Sequence, residues 1–497
     1  MYQAMKNDIR LHVTEHLLTL ERGRNELLLA NYLDLRPLYI KEGRKYIKQF
    51  LKAASELGTY NKIIEAFPND ISLLDMLVDH GIIIPGGSTQ NNTFQMPQEE
   101  LRFDNRRSIS LYLLISQSCN MGCIYCLNGT KTYQKDKDLM MSQEIAFESI
   151  ERCLDGLCPQ GYLEVIFFGG EPLLNWPLAK EIIIYCENAL RQKHAGKQIK
   201  YHCTTNLSLV PADLIEWATR YNVTFLCDVD GPPEIHNKCR PFKNGSPSHE
   251  VIVKNIGRLT EAGLSVFLRT TITSLNHDRL LEITRHHRAI GGKSSAFVPV
   301  NPVNSDEDVL TEKLLPSPDK IIKGMTDVYK SKLWKDNELY PFNQHVARLI
   351  PDSRSVVGCG APYGNTPVVD VTGDVYPCIY LVGMKGYYMG NIMNESYPNK
   401  NVLRSIYNYL HVDQREDCKT CSWRYICGGA CALGRLTVLD NPAASGKVRD
   451  YCRRITCEYT KKMLELLLWD KAQVTASELL EDYRKNQTSA MVDTTVC

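Results

Sequence analysis

Eight cysteines between Cys359 and Cys457 constrain this chain more than any other feature of its sequence. The stretch is rich in glycine and turn residues and poor in apolar runs. It cannot easily build a core of its own, so bound metal is the natural staple. The spacing is Cys359, then Gly373 and Cys378, then Cys418-x2-Cys421-x5-Cys427-x3-Cys431, and later Cys452 and Cys457. The chain holds 18 cysteines in all. Its N-terminal residues, MYQAMKNDIRLHVTEHLL, are interrupted throughout by polar and charged groups and do not read as a signal peptide. Without an export signal, cysteines serve metal binding or catalysis more often than disulfides. The expected location is therefore cytoplasmic.

The 497 residues predict two to four domains. The formal net charge of +1 leaves no electrostatic footprint for nucleic acid or a membrane surface. No run of 18 apolar residues is present to span a bilayer. Residues 1–95 hold no cysteine. They read as two strands around Leu35-Arg36-Pro37, helices over 41–54, 61–66 and 71–80, and a strand at Ile82–Pro85. That order predicts a small winged-helix-like unit. A polar linker covers 96–107.

From 108 to 304 the chain alternates strand and helix. Strands are expected at Ser108–Ser116, Leu163–Phe168, Lys200–Thr204, Thr224–Val229, Ser265–Thr271 and Ser295–Val300, with helices such as 142–154 and 212–220 between them. Six such units predict a parallel sheet curved into a partial barrel, with its site at the C-terminal strand ends. Residues 305–358 read as a helical bridge, 359–470 as the cysteine-rich domain, and 471–497 as a charged tail. The cysteines outside the clusters, including Cys158 and Cys497, are expected to be free thiols.

Cys119-Asn-Met-Gly-Cys123-Ile-Tyr-Cys126 follows the first expected strand directly. Three thiolates on one short loop can hold three irons of a [4Fe–4S] cluster and leave the fourth open to a small chelating ligand. A zinc loop is the plainer alternative. Further along, Gly169-Gly170-Glu171-Pro172 ends the second strand and Thr204-Thr205-Asn206 the third. Cys227-Asp228-Val229-Asp230-Gly231-Pro232 ends the fourth, followed by His236 and Arg240, and Arg269 lies on the fifth. Each piece alone reads as a turn or a surface charge. Together they fall where a barrel gathers its site.

In that order these motifs resemble the radical S-adenosylmethionine (SAM) superfamily. The resemblance implies that Cys119, Cys123 and Cys126 hold the catalytic cluster, with SAM on its open iron. It implies that Tyr125 sits beside both, and that Gly169, Gly170, Glu171 and Pro172 border the methionine amino group. Thr205, Asn206, Asp228 and Asp230 would line the rest of the cofactor, with Arg269 near its carboxylate. Asp228 stands where the family usually has serine. One electron from the cluster would split the sulfonium bond and yield a 5′-deoxyadenosyl radical.

The later cysteines resemble the SPASM extension of these enzymes, which implies two auxiliary [4Fe–4S] clusters and three clusters in all. Cys359, Cys378 and Cys431 would serve the first. Cys418, Cys421 and Cys427 would serve the second, completed by Cys457, with Cys452 as competitor. The first cluster lacks an evident fourth ligand and would have an open iron. A zinc site on Cys418, Cys421, Cys427 and Cys431 is the alternative. The implied architecture is an α/β partial (βα)6 TIM-like barrel with an N-terminal winged-helix-like domain and a C-terminal SPASM iron–sulfur domain.

SPASM enzymes most often act on peptides, and the N-terminal unit resembles the PqqD-like peptide-recognition domain, which binds a leader by strand addition. The expected partners are a ribosomally made precursor peptide and a flavodoxin- or ferredoxin-type electron donor. The expected reaction is a Cys thioether crosslink of sactipeptide or ranthipeptide type. Alternatives are a C–C or C–O crosslink and formylglycine-forming sulfatase maturation. Sulfatase maturases carry an aspartate after the cysteine that matches Cys378, where this chain has Ile379.

Overall fold

The computed structural model describes residues 9–86, 105–126, 139–302, 312–350, 353–394, 397–431, 433–439, 441 and 444–471. Most of the expected linker and all but the first residue of the expected tail, with Cys497, lie outside the described residues.

Six strands build the centre: β6 (Arg106–Ser116), β7 (Leu157–Gly169), β8 (Gln198–Thr205), β9 (Thr224–Asp228), β10 (Val266–Ile272) and β11 (Ser295–Pro299). They pair in sequence order and all in parallel. The alternation along β6 explains its two faces. Ile109, Leu111, Leu113 and Ile115 enter the main core beneath the helices, while Ser110, Tyr112 and Leu114 turn inward. The helix Gln143–Asp155 begins at Ser142, whose hydroxyl accepts the Ile145 amide at 3.3 Å. It buries Ala146, Ile150, Cys153 and Leu154, the three- and four-residue spacing of one helical face.

Three features depart from the sequence reading. The second strand starts at Leu157, six residues early. The region expected as a purely helical bridge contributes β12 (Leu339–Tyr340), parallel to β11. The cysteine-rich region contributes β13 (Val368–Val369) and β14 (Val375–Tyr376), and β13 runs parallel to β6. The order is therefore β12-β11-β10-β9-β8-β7-β6-β13-β14, an α/β fold with a mostly parallel sheet. Short apolar pairs such as Leu339-Tyr340 carry too little periodicity to be read as strands.

The N-terminal unit is richer in strand than expected. β1 (Leu11–Val13) pairs antiparallel with β5 (Ile83–Pro85). β2 (Leu17–Arg22), β3 (Glu26–Asn31) and β4 (Leu38–Ile40) form an antiparallel sheet. Helices Arg44–Leu57, Tyr60–Ala66 and Ile71–Asp79 follow. On β3, Leu27 and Leu29 join Phe50, Leu74 and Leu77 in the unit's own core. Leu28 and Ala30 point the other way and join Met463, Leu464 and Leu467 near the C-terminal end. The unit is docked on both sides of its sheet.

Among the buried cysteines, Cys153, Cys186, Cys203, Cys227 and Cys239 are free, as expected. Cys158 departs from that expectation and is disulfide-bonded. No described helix is long and apolar enough to cross a membrane.

Candidate active site and thiol clusters

The loop after β6 carries Cys119, Cys123, Tyr125 and Cys126 over the C-terminal ends of the strands. Backbone pairs from Gly122 to Pro241 and from Ile124 to Cys239 fasten it to the segment after β9. Cys119 Sγ is approached by the Met121 amide at 3.4 Å and by Asn206 Nδ2 at 3.9 Å. Arg240 Nη1 approaches Cys123 Sγ at 3.8 Å. Burial, more than any other influence, pushes the thiols of Cys119 to about 11 and of Cys123 to about 12, and each also feels Cys126. Metal binding at such a trio releases protons.

Gly169 and Gly170 let β7 approach this loop closely. A Cβ on Gly169, at φ +130°, would lie 2.1 Å from the Ser116 carbonyl oxygen, and one on Gly170 would lie 2.3 Å from that of Ser118. Glu171 is fully buried. It accepts from Thr205 Oγ1 at 2.7 Å, the Asn206 amide at 2.8 Å and the Leu173 amide at 3.0 Å. Burial outweighs these bonds and pushes its carboxyl up to about 7. Pro172 opens the short turn that follows. Asn206 Nδ2 also donates to Asn120 Oδ1 at 3.0 Å, tying the end of β8 to the cysteine loop. This network fixes the ends of β6, β7 and β8 relative to one another.

A second network spans β9 and β10. Asp228 accepts from Arg269 Nε at 2.5 Å and Nη2 at 2.9 Å, a bidentate pair, and Arg240 Nη2 lies 3.3 Å away. Burial opposes ionisation, but the two guanidiniums hold Asp228 down at about 2. Asp230 accepts from Arg240 Nε at 3.1 Å, from the Thr271 amide at 2.9 Å and from the Tyr125 hydroxyl. The Arg240 guanidinium lies 5.2 Å from the Tyr125 ring centre. The substitution of aspartate for the usual serine thus clamps Arg269. Arg240 belongs to a motif in the sequence, but its contact with Cys123 bridges 117 positions and leaves no local signal.

The later cysteines fall into two groups. Burial, then Cys359 and Cys431, raise the Cys378 thiol. Burial is likewise the main influence on Cys418, Cys427 and Cys457. Cys418 also feels Cys427 and Cys457, and Cys427 feels Cys457 and Cys421. Cys452 feels Cys431 alone among the thiols. Cys457 is thus an electrostatic neighbour of Cys418 and Cys427, and Cys431 of Cys452. The Lys461 ammonium lies beside Cys421.

Among the described residues no three His, Cys, Asp or Glu side chains converge closely enough for a single metal ion. Thiolates sharing a cubane each bind a different iron and stand farther apart. The donor set, three thiols on one loop with N–H groups aimed at two of the sulfurs, fits a [4Fe–4S] cluster.

Comparison with known proteins agrees with this geometry. Residues 113–308 match the model of the Radical SAM superfamily. The chain is 24% identical over 460 residues to the radical SAM cyclopropyl synthase TigE of Paramaledivibacter caminithermalis, covering 86% of this chain and 90% of that protein. It is 22% identical over 346 residues to the serine-type anaerobic sulfatase-maturating enzyme of Bacteroides thetaiotaomicron, covering 64% and 81%. In fold it is similar to anSMEcpe with bound AdoMet, with a TM-score of 0.58 at 19% identity over 74% of this chain and 100% of that one. The cysteine loop and the strand-end networks thus lie within the segment, residues 113–308, that matches the Radical SAM superfamily.

Proposed function

We propose that this enzyme is a peptide maturase that removes hydrogen from a ribosomally synthesised precursor and installs a crosslink, a Cys thioether. One observation carries the reading: Tyr380, two residues beyond Cys378, is an electrostatic neighbour of Arg269 on the SAM side and of Cys378 and Cys431 in the first later group. The relation to TigE and to sulfatase-maturating enzymes over most of their lengths supports a peptide substrate. So does the N-terminal sheet, whose outer strands β2 and β4 have no further partner among the described strands. A leader can add a strand at such an edge.

Cys119, Cys123 and Cys126 would hold the catalytic cluster. Cys359, Cys378 and Cys431 would hold a first auxiliary cluster, and Cys418, Cys421, Cys427 and Cys457 a second. When bound, SAM and the clusters supply hydrogen-atom abstraction from carbon and take up the electron that the linkage releases. The chain's own residues do the rest. Glu171 and Asn206 fix the cysteine loop, Asp228 and Arg240 aim Arg269, and the packed strands exclude bulk water. Overall a C–H and an S–H bond break and a C–S bond forms. One hydrogen atom goes to the nucleoside, the sulfur loses a proton, and one electron leaves.

Mass spectrometry of a precursor encoded near this gene tests the reading, with anaerobic enzyme, SAM and a strong reductant. Loss of two hydrogens per link with a blocked thiol supports the thioether. Conversion of Cys or Ser to an aldehyde would replace it with sulfatase-type maturation. Absence of 5′-deoxyadenosine would reject radical chemistry altogether.

A further inference from the structure

Arg348 carries a positive charge that no described carboxylate answers. It is the last residue of the helix Phe342–Arg348 and is half-buried. Other guanidiniums on or beside the thiol loops have acidic partners. Arg415 lies 3.2 Å from Asp417, Arg424 lies 3.7 Å from Asp413, and Arg240 lies 3.1 Å from Asp230. Among the described residues no carboxylate pairs with Arg348. Its fork closes on backbone carbonyls instead. Nη1 donates to the Cys427 carbonyl, and Nη2 donates to that of Gly358 at 3.0 Å.

The two acceptors belong to different thiol groups. Cys427 lies in the second proposed set of ligands, and Gly358 directly precedes Cys359 of the first. The loops touch at this point. The Gly358 amide donates to the Gly428 carbonyl at 2.5 Å, and a Cβ on Gly358 would lie 2.7 Å from the Cys427 carbonyl oxygen. From the other side, Arg354 Nη1 donates to the Arg348 carbonyl at 2.8 Å and Nη2 to that of Ile350 at 3.2 Å. The guanidinium is thus fixed at the seam between the loops, at the end of a helix that is itself fastened.

A half-buried cation whose only partners are neutral carbonyls is left short of negative charge. The thiols on either side provide it once they hold metal. A cubane bound by thiolates is anionic and gains one further negative charge when it takes up an electron. Its reduction potential depends on net charge, hydrogen bonds and exposure. A fixed cation at the seam favours the reduced form on both sides.

We infer that Arg348 is a positioning residue shared by the two auxiliary clusters: it joins their loops, and its charge stabilises an electron on either one. The inference rests on the maturase reading, in which formation of the C–S bond releases that electron. It deepens the reading by naming a residue that favours its uptake.

The anaerobic holoenzyme is titrated at controlled potential while the electron paramagnetic resonance of its clusters is followed, and its iron and sulfide are measured. At the potential that half-reduces the auxiliary clusters of the wild type, Arg348→Gln should lower the ratio of reduced to oxidised cluster about tenfold, or about 59 mV for one electron. The SAM-binding cluster should titrate as before. Arg348→Lys keeps the charge and should stay close to the wild type. Loss of iron from Arg348→Gln with retention in Arg348→Lys also supports the inference, since charge is then what holds the clusters. An unchanged titration of iron-replete Arg348→Gln overturns it, as does an equal shift of the SAM-binding cluster. Equal loss of iron from both variants overturns it too, because only the hydrogen-bonded fork would then matter. If the wild type holds only about four irons, the auxiliary assignment fails and the inference falls with it. A precursor crosslinked by protein whose potentials ignore Arg348 leaves the maturase reading standing.

Discussion

Arg240 joins Asp230 to Cys123: its Nε donates to Asp230 Oδ2 at 3.1 Å while its Nη1 lies 3.8 Å from Cys123 Sγ. One guanidinium thus neutralises a fully buried carboxylate and faces a thiol of the catalytic loop. Arg240→Gln should strand that carboxylate and cost about 3–5 kcal/mol in stability, as removal of one partner from a buried pair does. Denaturant unfolding checks the cost, and iron content of the folded fraction checks the thiol. A change below about 1 kcal/mol would mean that the pair is not buried in solution.

Gly170→Ala introduces a methyl 2.3 Å from the Ser118 carbonyl oxygen and 2.6 Å from that of Gln117. Neither obstacle is a flexible side chain. The strand end and the cysteine loop must separate, at an overpacking cost of about 1–3 kcal/mol. SAM cleavage should fall far more than stability does. Full retention of cleavage would show that the close approach is dispensable.

Cys457→Ser and Cys452→Ser should differ. With three cubanes the protein binds about twelve irons. Cys457→Ser should weaken the second auxiliary cluster and lower that count toward about eight, whereas Cys452→Ser should leave the second cluster intact. Iron and sulfide analysis of anaerobically prepared protein decides, and the reverse pattern would reassign the ligand.

His287, on the helix Leu280–Ala289, is buried against the sheet, with Nε2 at 2.7 Å from the Val229 carbonyl and Nδ1 at 2.8 Å from Ser295 Oγ. Burial lowers its pKa from 6.5 to about 4, despite the favourable carbonyl. The unfolded chain therefore takes up this proton first as pH falls. Stability from this residue is full above 6.5, declines between 6.5 and about 4, and is flat below, a loss of about 3 kcal/mol. Unfolding midpoints across that window should show the decline, and His287→Gln should lack that share of it.

Leu28→Ala should cost about 2–5 kcal/mol, because Leu28 is fully buried in the core that also holds Cys418 and Cys427. Its side chain packs with Met463, Leu464 and Leu467 across the body of the protein. For the same reason removal of the whole N-terminal unit would bare an apolar face and compromise the rest. Thermal unfolding of the single variant is the cleaner measurement. An effect as small as that of a surface change would mean that the unit is loosely attached.

Much of this protein is legible in its sequence, for identifiable reasons. The six parallel strands carry apolar runs bounded by turns, and each run sits within a few residues of its strand. The cysteine loop and Gly169 to Pro172 are contiguous, so their placement at strand ends follows from the strands. β12 and β13 were invisible because two-residue strands have no period. The contact of Arg240 with Cys123 joins distant segments and depends on how the sheet curves. The choice between Cys452 and Cys457 lay in helix phase, which spacing alone does not set.

The strand Glu26–Asn31 serves two masters. Its odd-numbered leucines belong to one hydrophobic interior and its even-numbered apolar residues to another, so no face of it is spare. Slippage by a single residue would swap both sets together and ruin two cores at once. The pairing register of the outer strands is thereby locked from either side, and anything that lengthens this sheet from its margin meets a template that cannot slide.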